Sequence, residues 1–132
     1  MSFLLDTDIC SAHLKGNHAV GNRVLQYGGR LHVSAITAGE LYTWALRAKA
    51  SPKRLPDLLA FLKDVTILEV DEPVARRFGE IRAALFDAGL ATPDMDLVNA
   101  ATALVHGLTM VTHNTQDYAD VPGLNLVDWL NP

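Results

Sequence analysis

With 132 residues and an apolar content of 49%, the chain is sized for one compact domain spanning 1–132 with an ordinary core, and its single cysteine, Cys10, excludes internal disulfides and cysteine-based zinc sites. The net charge of -4 sets it apart from domains that coat nucleic acid by bulk attraction. Its opening residues carry no basic leader region and no apolar run approaches the ~18 residues of a spanning helix, so a soluble, cytoplasmic protein without a membrane partner is expected.

Charge is unevenly placed. All 11 Lys and Arg fall between Lys15 and Arg82, whereas residues 83–132 carry acids alone: Asp87, Asp94, Asp96, Asp117, Asp120 and Asp128. Phosphate contacts must therefore come from the first half, and the second is suited to cations.

Phe3-Leu4-Leu5 is a short apolar run stopped by Asp6-Thr7-Asp8, and it reads as the first strand. Residues 8–27 form two short helices broken at Gly16-Asn17. Leu31–Ser34 is the second strand, and Leu41, Trp44, Ala45 and Ala48 mark one face of the helix after it. A helix through Leu58, Leu59 and Leu62 starts near Ser51-Pro52 or Pro56. A third strand over 65–70 precedes a helix with Val74, Phe78, Ile81 and Leu85 on one face. The stripe Leu97, Ala100, Ala101, Leu104, Val105 then leads through Gly107-Leu108 to a strand at 109–112, and Asn125–Val127 adds a short fifth. The strands read as buried on both faces. Their alternation with helices predicts a three-layer α/β/α sandwich around a mostly parallel sheet of four or five strands.

In such a sheet, functional groups gather at the carboxyl ends of the strands. Asp6 follows the first strand directly, and Glu40 lies in the first turns of the helix after the second. The turn at Gly107-Leu108 is so short that the preceding helix must run back along its strand, which returns Asp96 to the same edge; Asp117 follows that strand by a few residues. Each acid has a structural reading of its own: a helix cap at Asp6, a capping box in Thr37-Ala38-Gly39-Glu40, a first-turn acid at Asp96, a turn residue at Asp117. Together they repel one another, so either their pKa values rise or a cation binds. Oxygen donors without clustered Cys or His select Mg²⁺ or Mn²⁺.

Leu4-Leu5-Asp6-Thr7-Asp8-Ile9, Ser34-Ala35-Ile36-Thr37-Ala38-Gly39-Glu40-Leu41, Asp96–Leu104 and Val111-Thr112-His113-Asn114-Thr115-Gln116-Asp117-Tyr118 resemble the four motifs of PIN-domain ribonucleases, specifically the VapC toxins of toxin–antitoxin modules. The tail Val121–Trp129 is similar as well. The resemblance implies a metal-dependent endoribonuclease in which Asp6, Glu40, Asp96 and Asp117 bind Mg²⁺ or Mn²⁺ and support hydrolysis of RNA by metal-activated water. It also implies a homodimer and inhibition by a small VapB-like antitoxin encoded beside the toxin. The chain departs from the family at Asp8, which often is Asn, and at Asn99, which usually is apolar. Asp8 either adds charge beside the metal or caps the helix. Asn99 either steadies a metal water or makes an ordinary polar contact. Asp94 diverges from Asp96 on the helix and stays outside the site.

Thr7, Thr112 and Asn114 stand beside the acids, as water-orienting or turn-bonding groups, and His113 reads as a solvated loop histidine more than a proton shuttle. Arg47, Lys49, Lys53 and Arg54 cluster in sequence, with Lys15 and Arg30, as candidate phosphate contacts. Tyr42 and Trp44 offer stacking surfaces, although the stripe of Trp44 favours packing. Two competing readings are a haloacid-dehalogenase-like phosphatase, whose late Lys is missing after Lys63, and a non-catalytic PIN-like RNA-binding module.

Overall fold

A computed structural model describes all residues, 1–132. Five strands, β1 (Phe3–Leu5), β2 (Leu31–Ser34), β3 (Thr66–Leu68), β4 (Thr109–Val111) and β5 (Leu126–Val127), form a wholly parallel sheet in the order β3-β2-β1-β4-β5. Between them lie α1 (Thr7–Leu14), α2 (His18–Gln26), α3 (Ala35–Leu46), α4 (Arg54–Lys63), α5 (Glu72–Asp87) and α6 (Asp94–His106), with a 3-10 turn at Thr115–Tyr118.

Alternation along the strands divides the core. Phe3 and Leu5 of β1 and Val111 of β4 pack with α1 to α4, whereas Leu4 and Met110 point to the opposite face and pack with α5 and α6. This is the expected three-layer sandwich. The expectation of strands buried on both faces holds for β1 and nearly so for β2 and β4, but β3 and β5 are edge strands whose residues are exposed or half-buried. An edge strand has a neighbour on one side only, and the apolar run at 65–70 does not reveal that.

The helices begin where short polar side chains meet open backbone amides. The Asn17 side chain accepts from Val20 N at 3.0 Å and restarts the chain as α2 after Gly16, whose φ of +88° suits glycine. Ser34 caps α3 by accepting from Thr37 N at 3.1 Å, so the expected capping box starting at Thr37 does not form. Its consequence is functional: Glu40 sits in the second turn and its carboxylate is available for other partners. At the end of α6, Gly107 adopts φ +65° and closes the helix, and the tight reversal into β4 brings Asp96 back to the carboxyl edge.

The chain steps outward from β1 through β2 to β3, then returns to the other side of β1 with β4. A topological switch point therefore lies between β1 and β4, and the crevice beyond their carboxyl ends is where such a sheet presents its chemistry. Asp6 and Thr112 are the first residues past those two strands. No helix is long and apolar enough to cross a membrane.

Candidate active site

Asp6 is the best-fixed carboxylate in the chain, 7% exposed and hydrogen-bonded through both oxygens. Its Oδ1 accepts from Thr7 N at 2.8 Å and from Asn99 Nδ2 at 3.4 Å; its Oδ2 accepts from Thr112 Oγ1 at 2.9 Å and Tyr118 OH at 3.0 Å. The Tyr118 hydroxyl also lies 3.2 Å from Asp96 Oδ1, so one phenol bridges the two acids. A phenol has one proton and can donate to only one of them at a time. Behind Asp6, Asn99 is turned by Ser34, whose Oγ donates to Asn99 Oδ1 at 2.5 Å, leaving the amide nitrogen to face Asp6 and Thr37. Asn99 is therefore a buried polar contact that orients a carboxylate.

Glu40 is exposed and is steadied by one hydrogen bond, from Thr7 Oγ1 at 2.7 Å. Asp117, on the 3-10 turn, is exposed and makes no side-chain hydrogen bond. The other three acids nevertheless act on Asp96. Burial and the charge of Asp6 raise the pKa of Asp96 above the usual carboxylate range; the Tyr118 hydrogen bond opposes the shift, and Asp117 and Glu40 add to it. The convergence is looser than expected, because no three His, Cys, Asp or Glu side chains are gathered closely enough to hold an ion as they stand. The donor set is still that of a hard cation: carboxylate oxygens at one edge, with one acid held unfavourably charged by its neighbours. Asp6, Asp96, Glu40 and Asp117 are the residues that would hold it.

Asp8 does a different job. Its Oδ2 accepts from His113 N at 2.9 Å, tying α1 to the loop after β4, and its Oδ1 accepts from Ile9 N at 2.8 Å; burial, then Asp6, raise its pKa. His113 is exposed and pairs through Nδ1 with Asp128 Oδ2 at 2.9 Å, away from the four acids' hydrogen bonds. Thr112 bonds Asp6 and also accepts from Asn114 N at 3.1 Å, so it combines the orienting role with the turn bond. Asp94 pairs with Arg82 at 3.0 Å and stands outside the site. Cys10 is fully buried, which pushes its thiol pKa up and leaves it inert. Sequence reasoning overlooked Tyr118 as a site residue. The signal that was available is chemical: a tyrosine in an otherwise apolar position must find a partner for its hydroxyl, and the topology offers only acids there.

The cations of the first half also have a definite place. Lys15, Arg47, Lys49 and Arg54 line one pocket together with Glu40 and Trp44, whereas Lys53 and Arg30 do not line it. Glu40 is thus the boundary between an acidic edge and a basic pocket.

Fold and site define the class, a parallel α/β sandwich carrying acids at its switch point, and the comparisons with known proteins make the family definite. The chain belongs to the PIN-domain family, whose model matches residues 3–124. It is similar to the tRNA(fMet)-specific endonuclease VapC of Shigella flexneri, 32% identical with 98% of each chain covered, and to Ribonuclease VapC2 of Haemophilus influenzae, 30% identical with 98% and 99% covered. Among solved structures, DNA-bound VapBC from Salmonella typhimurium matches with a TM-score of 0.91 and 29% identity over 98% of both chains. These likenesses span the whole length, and they favour a nuclease over the phosphatase-like reading.

Proposed function

We propose that this chain, acting as one domain, is an endoribonuclease toxin of the VapC type that hydrolyses RNA phosphodiesters with the help of Mg²⁺ or Mn²⁺. The single observation that carries the reading is the pair Asp6 and Asp96, bridged by Tyr118 at the switch point and supported by Glu40 through Thr7. The proposed catalytic residues are Asp6, Glu40, Asp96 and Asp117.

The residues divide the work. Asp6, held from four directions, fixes the position of the negative charge at the floor of the crevice. Asp96, half-buried across the Tyr118 hydroxyl, provides the second carboxylate. Glu40 accepts from Thr7 with one oxygen and keeps the other free to position water or substrate. Asp117 is free on its turn and acts from the outer side. A bound divalent ion supplies Lewis-acid activation of water and neutralises charge on the phosphate. No pair of clustered histidines is present to drive attack by the RNA's own 2′-hydroxyl, and cleavage by external water leaves a 5′-phosphate and a 3′-hydroxyl.

The test is cleavage of a structured RNA by the purified chain with Mg²⁺ or Mn²⁺, with chelator, and in Asp6→Asn and Asp96→Asn. Metal-dependent cutting with 5′-phosphate ends is expected, and both variants should be inactive. Cyclic-phosphate ends, or full activity in chelator, would refute the mechanism. We further propose that the protein works in the cytoplasm as a homodimer and is masked by a small VapB-like antitoxin. A basic side chain entering this group of carboxylates gains charge-assisted hydrogen bonds. Co-expression with the adjacent short gene should yield a stable, inactive complex.

A further inference from the structure

We propose that the basic pocket beside Glu40 binds the phosphate backbone of the RNA strand next to the bond that is cut, with Arg54 as its fixed anchor. This rests on the ribonuclease reading and adds to it where the strand lies. The pocket has a volume of about 560 Å³ and brings together Lys15, Arg47, Lys49 and Arg54 against one carboxylate, Glu40. Three come from one stretch of chain, Arg47 at the end of α3, Lys49 in the connection that follows and Arg54 at the start of α4, and Lys15, at the end of α1, is brought to them by folding. Folding concentrates them at one place in a chain whose net charge is -4.

None of the four is neutralised within the chain. The one ion pair of any Lys or Arg is that of Arg82 with Asp94. Arg54 is also fixed before any ligand arrives: its Nη1 donates to the Trp44 carbonyl at 3.1 Å, and its guanidinium carbon stands 4.9 Å from the centroid of the Trp44 ring. A guanidinium has five N–H donors, so donors remain for phosphate oxygens, and a pre-positioned fork loses less entropy on binding than a free side chain.

Position identifies the ligand. Glu40 lines the pocket and bonds Thr7, the neighbour of Asp6, so the pocket runs directly into the acidic edge. The acids alone repel a polyanion. A strand whose scissile phosphate reaches Asp6 and Asp96 must be held elsewhere along its backbone, and these cations are adjoining and unpaired. The charged lining suits a polyanion better than the apolar face of a docking helix.

The experiment reads binding without catalysis. A short fluorescently labelled single-stranded RNA is titrated in chelator at several salt concentrations, using wild type, Arg47→Ala/Arg54→Ala, Lys15→Ala/Lys49→Ala, Arg76→Ala and Asp96→Asn. Each pocket pair should weaken binding and flatten the plot of log affinity against log salt by about 1.4, at about 0.7 for each phosphate of a single strand that is no longer neutralised. Arg76→Ala, exposed on α5 and outside the pocket, should match wild type, and Asp96→Asn should bind as well or better. Lys15 and Lys49 are exposed, so their pair keeps the test valid if loss of Arg54 disturbs α4. Wild-type affinity and slope in both pocket pairs would overturn the proposal. So would loss, in those pairs, of binding to an acidic peptide such as polyglutamate while RNA binding is retained, because the pocket would then serve a protein partner. A wild type that binds RNA in this way but never cuts it sinks the nuclease reading and leaves the pocket in place.

Discussion

The two sides of the acidic edge are built differently. Asp6 is buried and receives hydrogen bonds from Thr7, Asn99, Thr112 and Tyr118, so its orientation is set by folding; Glu40 has one partner and Asp117 none. A carboxylate held this way costs no reorganisation when charge has to be placed, but removing it orphans the groups that hold it. Exposed acids are adjustable and can be lost without harm to the fold. Activity and stability should therefore separate along the edge.

The largest expected effect is on activity at the fixed side. Asp6→Ala and Asp96→Asn should each lower cleavage by at least about a hundredfold. Their stabilities should diverge. Asp6→Ala leaves the buried Thr112 hydroxyl without its acceptor and Asn99 with only the 3.5 Å contact to Thr37, while Tyr118 turns to Asp96; an orphaned buried donor costs about 1–3 kcal/mol, whereas Asp96→Asn keeps an oxygen for Tyr118 and removes a repelled charge. In chelator, thermal melting should place the first below wild type and the second at or above it. Equal destabilisation of both would break the distinction drawn between Asp6, held by its donors, and Asp96, held against its neighbours' charge.

Next in size is Asn99→Ala. Ser34 loses its short partner and Asp6 one of its four donors in a buried network, and a stability loss of about 1–3 kcal/mol by chemical denaturation is expected, with a fall in activity that follows from a loosened Asp6. Glu40→Gln should retain wild-type stability and lose roughly a hundredfold in activity, the lower end of what one general acid–base contact supplies. Asp117→Asn should lose least. If Asp117→Asn proves as damaging as Asp96→Asn, the exposed side participates more directly than its missing hydrogen bonds indicate.

Much of this was legible in the sequence, and for identifiable reasons. Apolar runs broken by acids located the strands, and the two-residue turn at Gly107-Leu108 sufficed to return Asp96 to the edge where Asp6 lies, because so short a link permits one direction only. Chain spacing does not encode which residue caps a helix when several hydroxyls stand in a row. Ser34 and Thr37 are both plausible, and the backbone selected Ser34, which released Glu40. Nor could spacing show that cations from α1, α3 and α4 meet beside Glu40, or that the Tyr118 hydroxyl falls between Asp6 and Asp96; both depend on how helices cross the sheet.

The smallest effect tests the electrostatics of the edge directly. Asp96 faces Asp6, Asp117, Glu40 and the Tyr118 hydroxyl, and burial followed by the charge of Asp6 raises its pKa from 3.8; Asp8, facing Asp6 and His113, is raised from 3.8 for the same two leading causes. A carboxyl raised in the folded state binds more protons there than in the unfolded chain, so its contribution to stability is fully present below the unfolded value and is lost as pH rises through the folded one. Asp128 runs the other way: burial opposes it, but hydrogen bonds from His113, Leu130 and Asn131 hold it below 3.8, and its contribution disappears only as pH falls beneath that value. In chelator, then, the melting temperature should decline as pH is raised from about 4 through the raised values, and Asp96→Asn should flatten that decline. Added Mg²⁺ should reverse it by favouring the charged carboxylates, with a stabilisation that grows with free ion concentration and is diminished in Asp96→Asn. If Asp96→Asn leaves the pH dependence of metal-free melting as it is in wild type, Asp96 is not repelled by its neighbours as its placement requires.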